Sequence, residues 1–248
     1  MSSVEAAAAA GRRMEEEGAD ILDVGGESTR PGSSPVSEED EIRRVMPVLE
    51  ELAKRVRIPL SIDTDKAGVA ERALDVGASI LNDIFALRSE GMAAVARRYE
   101  LVVLMHMLGE SSRTMQDDPV YRDVVEDLIH FFRERCRAFA SGGGDVGRVW
   151  IDPGIGFGKT VEHNLEIMAR LEELQTFGRP ILIGASRKSF IGEVLGSEAS
   201  PRPPEDRLSG SLAAAIRAAE AGAVCVRVHD VASTREGLKI WSRMRRSV

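Results

Sequence analysis

The densest chemistry in the chain lies in Asp152-Pro153-Gly154-Ile155-Gly156-Phe157-Gly158-Lys159-Thr160, followed by His163-Asn164. A carboxylate stands before three glycines in five residues, a pattern that lets backbone come close to a ligand. Taken alone, the stretch could equally be a glycine-rich connection with a capping Asp. Other apolar runs, however, also end in polar residues: Asp63, Asn82, His106, Lys188, Arg227 and His229. Asp63, Asn82 and Asp152 offer acceptors and an amide to a flat, nitrogen-rich ring, and buried carboxylates are costly unless they meet donors. Arg30, Lys188, Arg227 and His229 supply positive charge for phosphate oxygens. A ring that wants carboxylates and a tail that wants cations point to a heterocycle with a phosphate leaving group. Arg227 and His229, at i and i+2 on one strand, share a face, whereas Arg187 and Arg235 read as ordinary surface ion-pairing residues. His106, His130 and His163 fall on separate elements and do not read as a metal site.

These residues need a scaffold that ends many strands on one side. Apolar runs at Ile21–Val24, Ile58–Ile62, Ser79–Leu81, Leu101–Met105, Val149–Ile151, Pro180–Ile183 and Val224–Val228 read as strands. Between them, helical spacing predicts helices over Val4–Glu17, Glu38 to about Lys54 (capped by Ser37), the stretch up to Val76, Met92–Arg98, Val120–Phe139, Val161–Glu173, Leu208–Ala221 and Thr234–Arg243. Pro47 is expected to kink its helix, and Gly109 to Asp118 reads as a polar, mobile loop. Strands alternating with such helices imply a parallel sheet. The fold class expected is α/β, a TIM (β/α)8 barrel, in one domain over residues 1–248. In that fold the active site is built at the C-terminal ends of the strands, where these polar residues fall.

Composition excludes several classes. The net charge is −7 with basic residues spread along the chain, so nucleic acid is a poor partner. Cys136 and Cys225 show no metal or redox spacing, which suits reduced thiols in a cytoplasmic protein. No apolar run approaches the roughly 20 residues of a membrane span, and Met1-Ser2-Ser3-Val4-Glu5 lacks a signal-peptide pattern.

Across nearly its whole length the chain resembles dihydropteroate synthase. The matching stretches are Asp23-Val24-Gly25-Gly26-Glu27-Ser28-Thr29-Arg30-Pro31-Gly32, Ser61-Ile62-Asp63-Thr64, Asn82-Asp83-Ile84, Met105-His106-Met107 and Thr114-Met115-Gln116. They continue through the Asp152 loop, Ser186-Arg187-Lys188-Ser189, Gly210-Ser211-Leu212-Ala213-Ala214 and Arg227-Val228-His229-Asp230-Val231. The resemblance implies condensation of 6-hydroxymethyl-7,8-dihydropterin diphosphate with p-aminobenzoate, assisted by Mg2+, to give 7,8-dihydropteroate and pyrophosphate. It assigns Asp63, Asn82, Asp152 and Lys188 to the pterin, with Met105 and Phe157 lining the pocket and Gly184 among the binding residues. Arg227 and His229 grip the diphosphate, Thr29, Arg30 and Pro31 lie on a closing loop, and Ser189 lies near the p-aminobenzoate. Asp63, Asp152, Lys188, Arg227 and His229 form the expected catalytic set. The implied mechanism is dissociative: diphosphate leaves first, and the arylamine attacks a pterin cation. A cytoplasmic homodimer is the expected assembly.

Two departures stand out. The family's opening strand and loop, with the Asn that contacts metal and diphosphate, have no counterpart here, so about seven strands are expected instead of eight and no metal ligand is named. After His106, the loop Leu108-Gly109-Glu110-Ser111-Ser112-Arg113 lacks the family's proline. The alternatives are a truncated or non-catalytic pterin-binding protein, or a corrinoid-linked methyltetrahydrofolate methyltransferase. The last is disfavoured because methyl transfer needs no diphosphate grip.

Overall fold

The computed structural model describes residues 3–28, 34–109 and 119–245. Thr29, Arg30, Pro31 and the Thr114-Met115-Gln116 stretch, with most of the loop after His106, lie outside the described residues. The chain divides into two compact units, Met1–Met105 with Glu134–Trp150, and His106–Arg133 with Ile151–Val248.

The first unit alternates helix and strand. Helix α1 (Ser3–Glu16) is followed by β1 (Leu22–Gly25), α2 (Glu38–Arg55), β2 (Leu60–Asp63), α3 (Ala67–Asp75), β3 (Ile80–Asp83), the short α4 (Met92–Ala96) and β4 (Leu101–Met105). Ser37 caps α2 as expected, its hydroxyl accepting the Asp40 N–H at 3.1 Å. The α2 stripe of Val45, Met46, Leu49 and Leu52 is buried, with Pro47 accommodated inside the helix. At Gly11 of α1 a side chain would collide with Leu52, so glycine permits the close packing of α1 on α2. Strands β1 to β4 pair in parallel, and one row across the sheet reads Val24, Ile62, Leu81, Val102. The neighbouring row reads Gly25, Asp63, Asn82, Val103. Since adjacent rows point to opposite faces, the apolar row packs under the helices and the polar row lies on the other face.

The second unit starts with the residues after β4. Helix α5 (Val124–Ser141) runs from this unit into the first, and β5 (Val149–Asp152) runs back. Then come α6 (Val161–Ala169), α7 (Leu171–Leu174), β6 (Leu182–Ile183), α8 (Ser189–Leu195), α9 (Leu208–Glu220), β7 (Cys225–Val226) and α10 (Val231–Arg245). Strands β6 and β7 pair in parallel, and Ile151 bridges in parallel to Ile181.

Several boundaries differ from the sequence expectation. Helix α5 starts at Val124 instead of Val120, because Asp123 takes the cap: its carboxylate accepts the Val125 and Glu126 N–H groups at 3.0 Å. The helix expected to Glu173 breaks at Arg170 (φ −107°, ψ 22°), whose guanidinium binds Asp123, Glu166 and Glu173 together. Helix α8 has no counterpart in the sequence reading. Strands β6 and β7 are shorter than their apolar runs. No helix of the described residues is long and apolar enough to cross a membrane.

Candidate active site

In the first unit the register sets Asp63 beside Asn82 at the ends of β2 and β3. Asn82 is buried, and its amide N–H donates to Asp23 Oδ2 at 3.0 Å. The other end of that amide, Oδ1, is buried without a hydrogen-bond partner among the described residues. An unsatisfied buried acceptor is costly, and a ligand N–H would satisfy it. Asp83, next in sequence, faces the other way. Its carboxylate accepts the Phe85 and Leu87 N–H groups, each at 2.7 Å, and so holds the turn in which Ala86 and Leu87 adopt positive φ. Complete burial pushes the Asp83 carboxyl up to about 7, against those two hydrogen bonds, with Asp65 and Asp63 adding repulsion. Met105 is buried at the end of β4.

At the end of β1, Glu27 accepts from Lys66 Nζ at 2.5 Å, and buried Glu41 of α2 accepts from the same ammonium at 2.7 Å. Burial pulls the Lys66 ammonium down, but hydrogen bonds to Glu27 and Glu41 and the charges of Asp65 and Glu41 outweigh it, so its pKa stands above the ordinary lysine value.

The second unit centres on Asp152, which is 5% exposed. Its Oδ1 accepts the Gly154 N–H at 2.8 Å, and its backbone carbonyl accepts the His106 N–H at 2.9 Å. A methyl group placed on Gly184 would lie 3.8 Å from Asp152 Oδ2 and 3.9 Å from Arg227 Cβ. Gly184 thus lies against both the buried carboxylate and the base of the Arg227 side chain. Burial pushes the Asp152 carboxyl up, while the Gly154 N–H, the charges of Lys188 and Arg227 and, when it is protonated, that of Lys159 pull it down.

Lys188 places its ammonium 4.1 Å from the centre of the Phe157 ring, a cation–π contact. Gly156 (φ 80°) sits under the lysine stem: a Cβ there would come within 3.3 Å of Lys188 Cδ. The glycine loop is tied down by Asn164, whose Oδ1 accepts the Gly156 N–H at 2.7 Å and whose amide donates to the Thr160 carbonyl at 2.7 Å. Tyr121 adds a third tie, donating to the Gly158 carbonyl at 2.7 Å. Thr160 and His163 form a reciprocal cap at the start of α6. Lys159 itself is buried, with Nζ 2.9 Å from His106 Nδ1 and 3.0 Å from the Phe157 carbonyl.

The two basic motifs of this unit are joined directly. Arg187 forks onto Asp230 at 3.0 and 2.5 Å, the surface ion pair read from sequence, but with its partner inside the Arg227–Asp230 stretch. Arg187 holds positive φ (58°), supported by Ser211 Oγ on its N–H and by Arg207 on its carbonyl. Ser186 Oγ accepts the His229 backbone N–H at 3.2 Å and lies 3.1 Å from His229 Nδ1. The Ser186 hydroxyl thus holds the His229 ring at Nδ1. Burial, then the charges of Arg187 and Arg227, holds the His229 imidazole below the usual histidine value. Arg227 and His229 are both exposed, Lys188 is half-buried, and Ser189, exposed, opens α8.

The second unit therefore brings together Asp152, Phe157, Gly184, Lys188 and Arg227, with His229 held by Ser186. His106 is not open to a ligand: it is buried, edge-on to Phe131 at 4.7 Å and bonded to Lys159. Sequence reasoning gave no role to Ser186, Lys159, Tyr121 or the Arg187–Asp230 fork. For Lys159 the available signal was a lysine set inside a glycine-rich run; for the others there was none without the fold.

Comparison with known proteins follows the same lines. A family model described as pterin binding enzyme matches residues 1–229. The dihydropteroate synthase of Escherichia coli K12 is 45% identical over 224 residues, covering 90% of this chain and 77% of that protein. That of Neisseria meningitidis serogroup B is 43% identical over 248 residues, covering 98% and 85%. Among solved structures, Xanthomonas albilineans dihydropteroate synthase with 4-aminobenzoic acid superposes with a TM-score of 0.91 at 46% identity, covering 99% of this chain and 86% of that one. The Burkholderia cenocepacia enzyme complexed with 7,8-dihydropteroate gives 0.90 at 43% identity, covering 99% and 89%. These likenesses show the fold class expected from the sequence, the α/β TIM barrel.

Proposed function

Since the chain belongs to the dihydropteroate synthases of the pterin-binding enzyme family, we propose that it condenses 6-hydroxymethyl-7,8-dihydropterin diphosphate with p-aminobenzoate, yielding 7,8-dihydropteroate and pyrophosphate. The observation that carries this reading is the convergence at Gly184, where a Cβ would touch both the buried Asp152 carboxylate and the base of the Arg227 side chain. Such a place suits a ring that donates N–H groups and bears a diphosphate tail.

Asp152 accepts from the ring, and its negative charge stabilises the positive charge that grows there as the C–O bond to diphosphate breaks. Arg227, Lys188 and the ring of His229 stabilise the charge that grows on the departing diphosphate. Lys188 also closes the face of Phe157, which walls the ring. In the first unit, Asp63 and the Asn82 Oδ1 that has no partner among the described residues are acceptors of the kind a ring N–H would satisfy. Ser189 supplies a polar group for p-aminobenzoate.

Mg2+ belongs to this reading as the counter-ion of the diphosphate. Among the described residues no three His, Cys, Asp or Glu side chains converge; Mg2+ is commonly held by one or two carboxylates with phosphate oxygens and waters, and no step here runs through it. The chain is read as one domain and as a cytoplasmic homodimer acting on two small molecules, and its net charge of −7 disfavours a nucleic-acid partner. The corrinoid-linked methyltransferase alternative is not favoured, since the relatives named above are synthases. Pyrophosphate release that requires both substrates is the test; binding of methyltetrahydrofolate in preference to pterin diphosphate would overturn the reading.

A further inference from the structure

Lys159 has no part in the ring and diphosphate chemistry above, yet it is 3% exposed and built into the same unit. Its hydrogen-bond partners are His106 Nδ1 and the Phe157 carbonyl; among the described residues no carboxylate bonds to it. A neutral amine has two hydrogens for these two acceptors, whereas an ammonium has a third that finds no hydrogen-bond acceptor among the described residues. A buried ammonium left short of a partner is costly. Burial, helped by repulsion from Lys188 and opposed by attraction to Asp152, pulls the amine down to about 7.

The partners of Lys159 form a continuous chain of contacts from Asp152 to Lys188. The His106 N–H bonds the Asp152 carbonyl, the His106 ring bonds Lys159, Lys159 bonds the Phe157 carbonyl, and the Phe157 ring lies under Lys188. We propose that Lys159 works as a neutral amine, a positioning residue that braces Phe157 and His106 about the end of β5 and leaves the Asp152 charge to the substrate ring. This rests on the synthase reading. The groups facing Lys159 are His106 after β4, Tyr121 before α5, Asp152 at the end of β5 and Lys188 before α8. A proton taken up by Lys159 creates a cation that competes with the ring for Asp152, so ring affinity falls as the pH drops through neutrality.

The experiment is calorimetric titration of the full chain with pterin diphosphate from pH 6 to 8.5, for the wild type, Lys159→Gln and Lys159→Met, with melting curves alongside. Gln keeps two N–H donors and never charges; Met keeps neither property. The wild type is expected to lose affinity below neutral pH, and both variants to lose that step. Met should bind about tenfold more weakly than Gln at every pH, the scale of one lost buried hydrogen bond. A step near neutrality that persists unchanged in the variants, over and above the Asp152 limb they retain, or Met binding as tightly as Gln, overturns the proposal. Should the variants not fold, the Lys159 side-chain NMR resonances of the wild type decide: a midpoint near neutrality is expected, and one near the ordinary value of about 10.4 contradicts it. A wild type that binds no pterin diphosphate would sink the synthase reading, while the NMR midpoint still reports on Lys159.

Discussion

Asp152 is where the chemistry of the second unit meets. Its charge is held by one backbone N–H and by the field of nearby cations, so replacing it with Asn removes charge and keeps shape. Asp152→Asn should weaken pterin diphosphate binding roughly 10- to 150-fold, the range of a charge-assisted hydrogen bond. Because burial raises the Asp152 carboxyl, wild-type affinity should fall on acidification at a pH above the ordinary carboxylate range, and this acid limb should vanish in the Asn variant. Calorimetry across pH checks both; equal affinity of the two proteins at pH 8 contradicts the role. Asp152, Lys188, Arg227 and His229 were legible in the sequence because their types and strand-end positions carry the chemistry. Lys159 was not, because its meaning depends on burial against His106, which lies 53 residues away.

The loops after β6 and β7 act as a unit through the Arg187–Asp230 fork and the Ser186–His229 contacts. Arg187 is a third exposed and Asp230 a fifth, so the fork is worth only about 1 kcal/mol of stability. Its larger effect is on position, since Lys188 and His229 adjoin its two ends. Arg187→Ala and Asp230→Asn should each raise the KM for pterin diphosphate several-fold, and the double variant should be no worse than either alone. Additive effects in steady-state kinetics would mean the loops are held independently. The alternation of strands and helices was readable from apolar spacing. The start of α5, the break at Arg170 and the whole of α8 were not, because they follow from side chains that meet only after folding, such as Arg170 with Asp123.

For the molecule as a whole, Asp83 ties stability to pH. Burial pushes the folded carboxyl up to about 7, against an ordinary value of 3.8. Between those values the folded chain binds more protons than the unfolded one, so this group's contribution to stability is full below the lower value and is lost as pH rises to the upper. Asp83→Asn cannot ionise, so its melting temperature relative to wild type should climb from pH 4 to pH 7 and then level off. A constant difference across that range would place the Asp83 carboxyl near its ordinary value. Parallel strands with buried faces were expected from sequence, but the division of labour between neighbours was not: Asn82 turns to the polar row while Asp83 turns to the turn behind it.

The claim on which the rest depends is that this chain joins a pterin to an arylamine with loss of diphosphate. The most direct measurement combines the chain with 6-hydroxymethyl-7,8-dihydropterin diphosphate, p-aminobenzoate and Mg2+, and follows pyrophosphate and 7,8-dihydropteroate together. The account predicts the two products in equal amounts, with neither product formed when either organic substrate is omitted. Pterin diphosphate that binds tightly but yields neither product would contradict it.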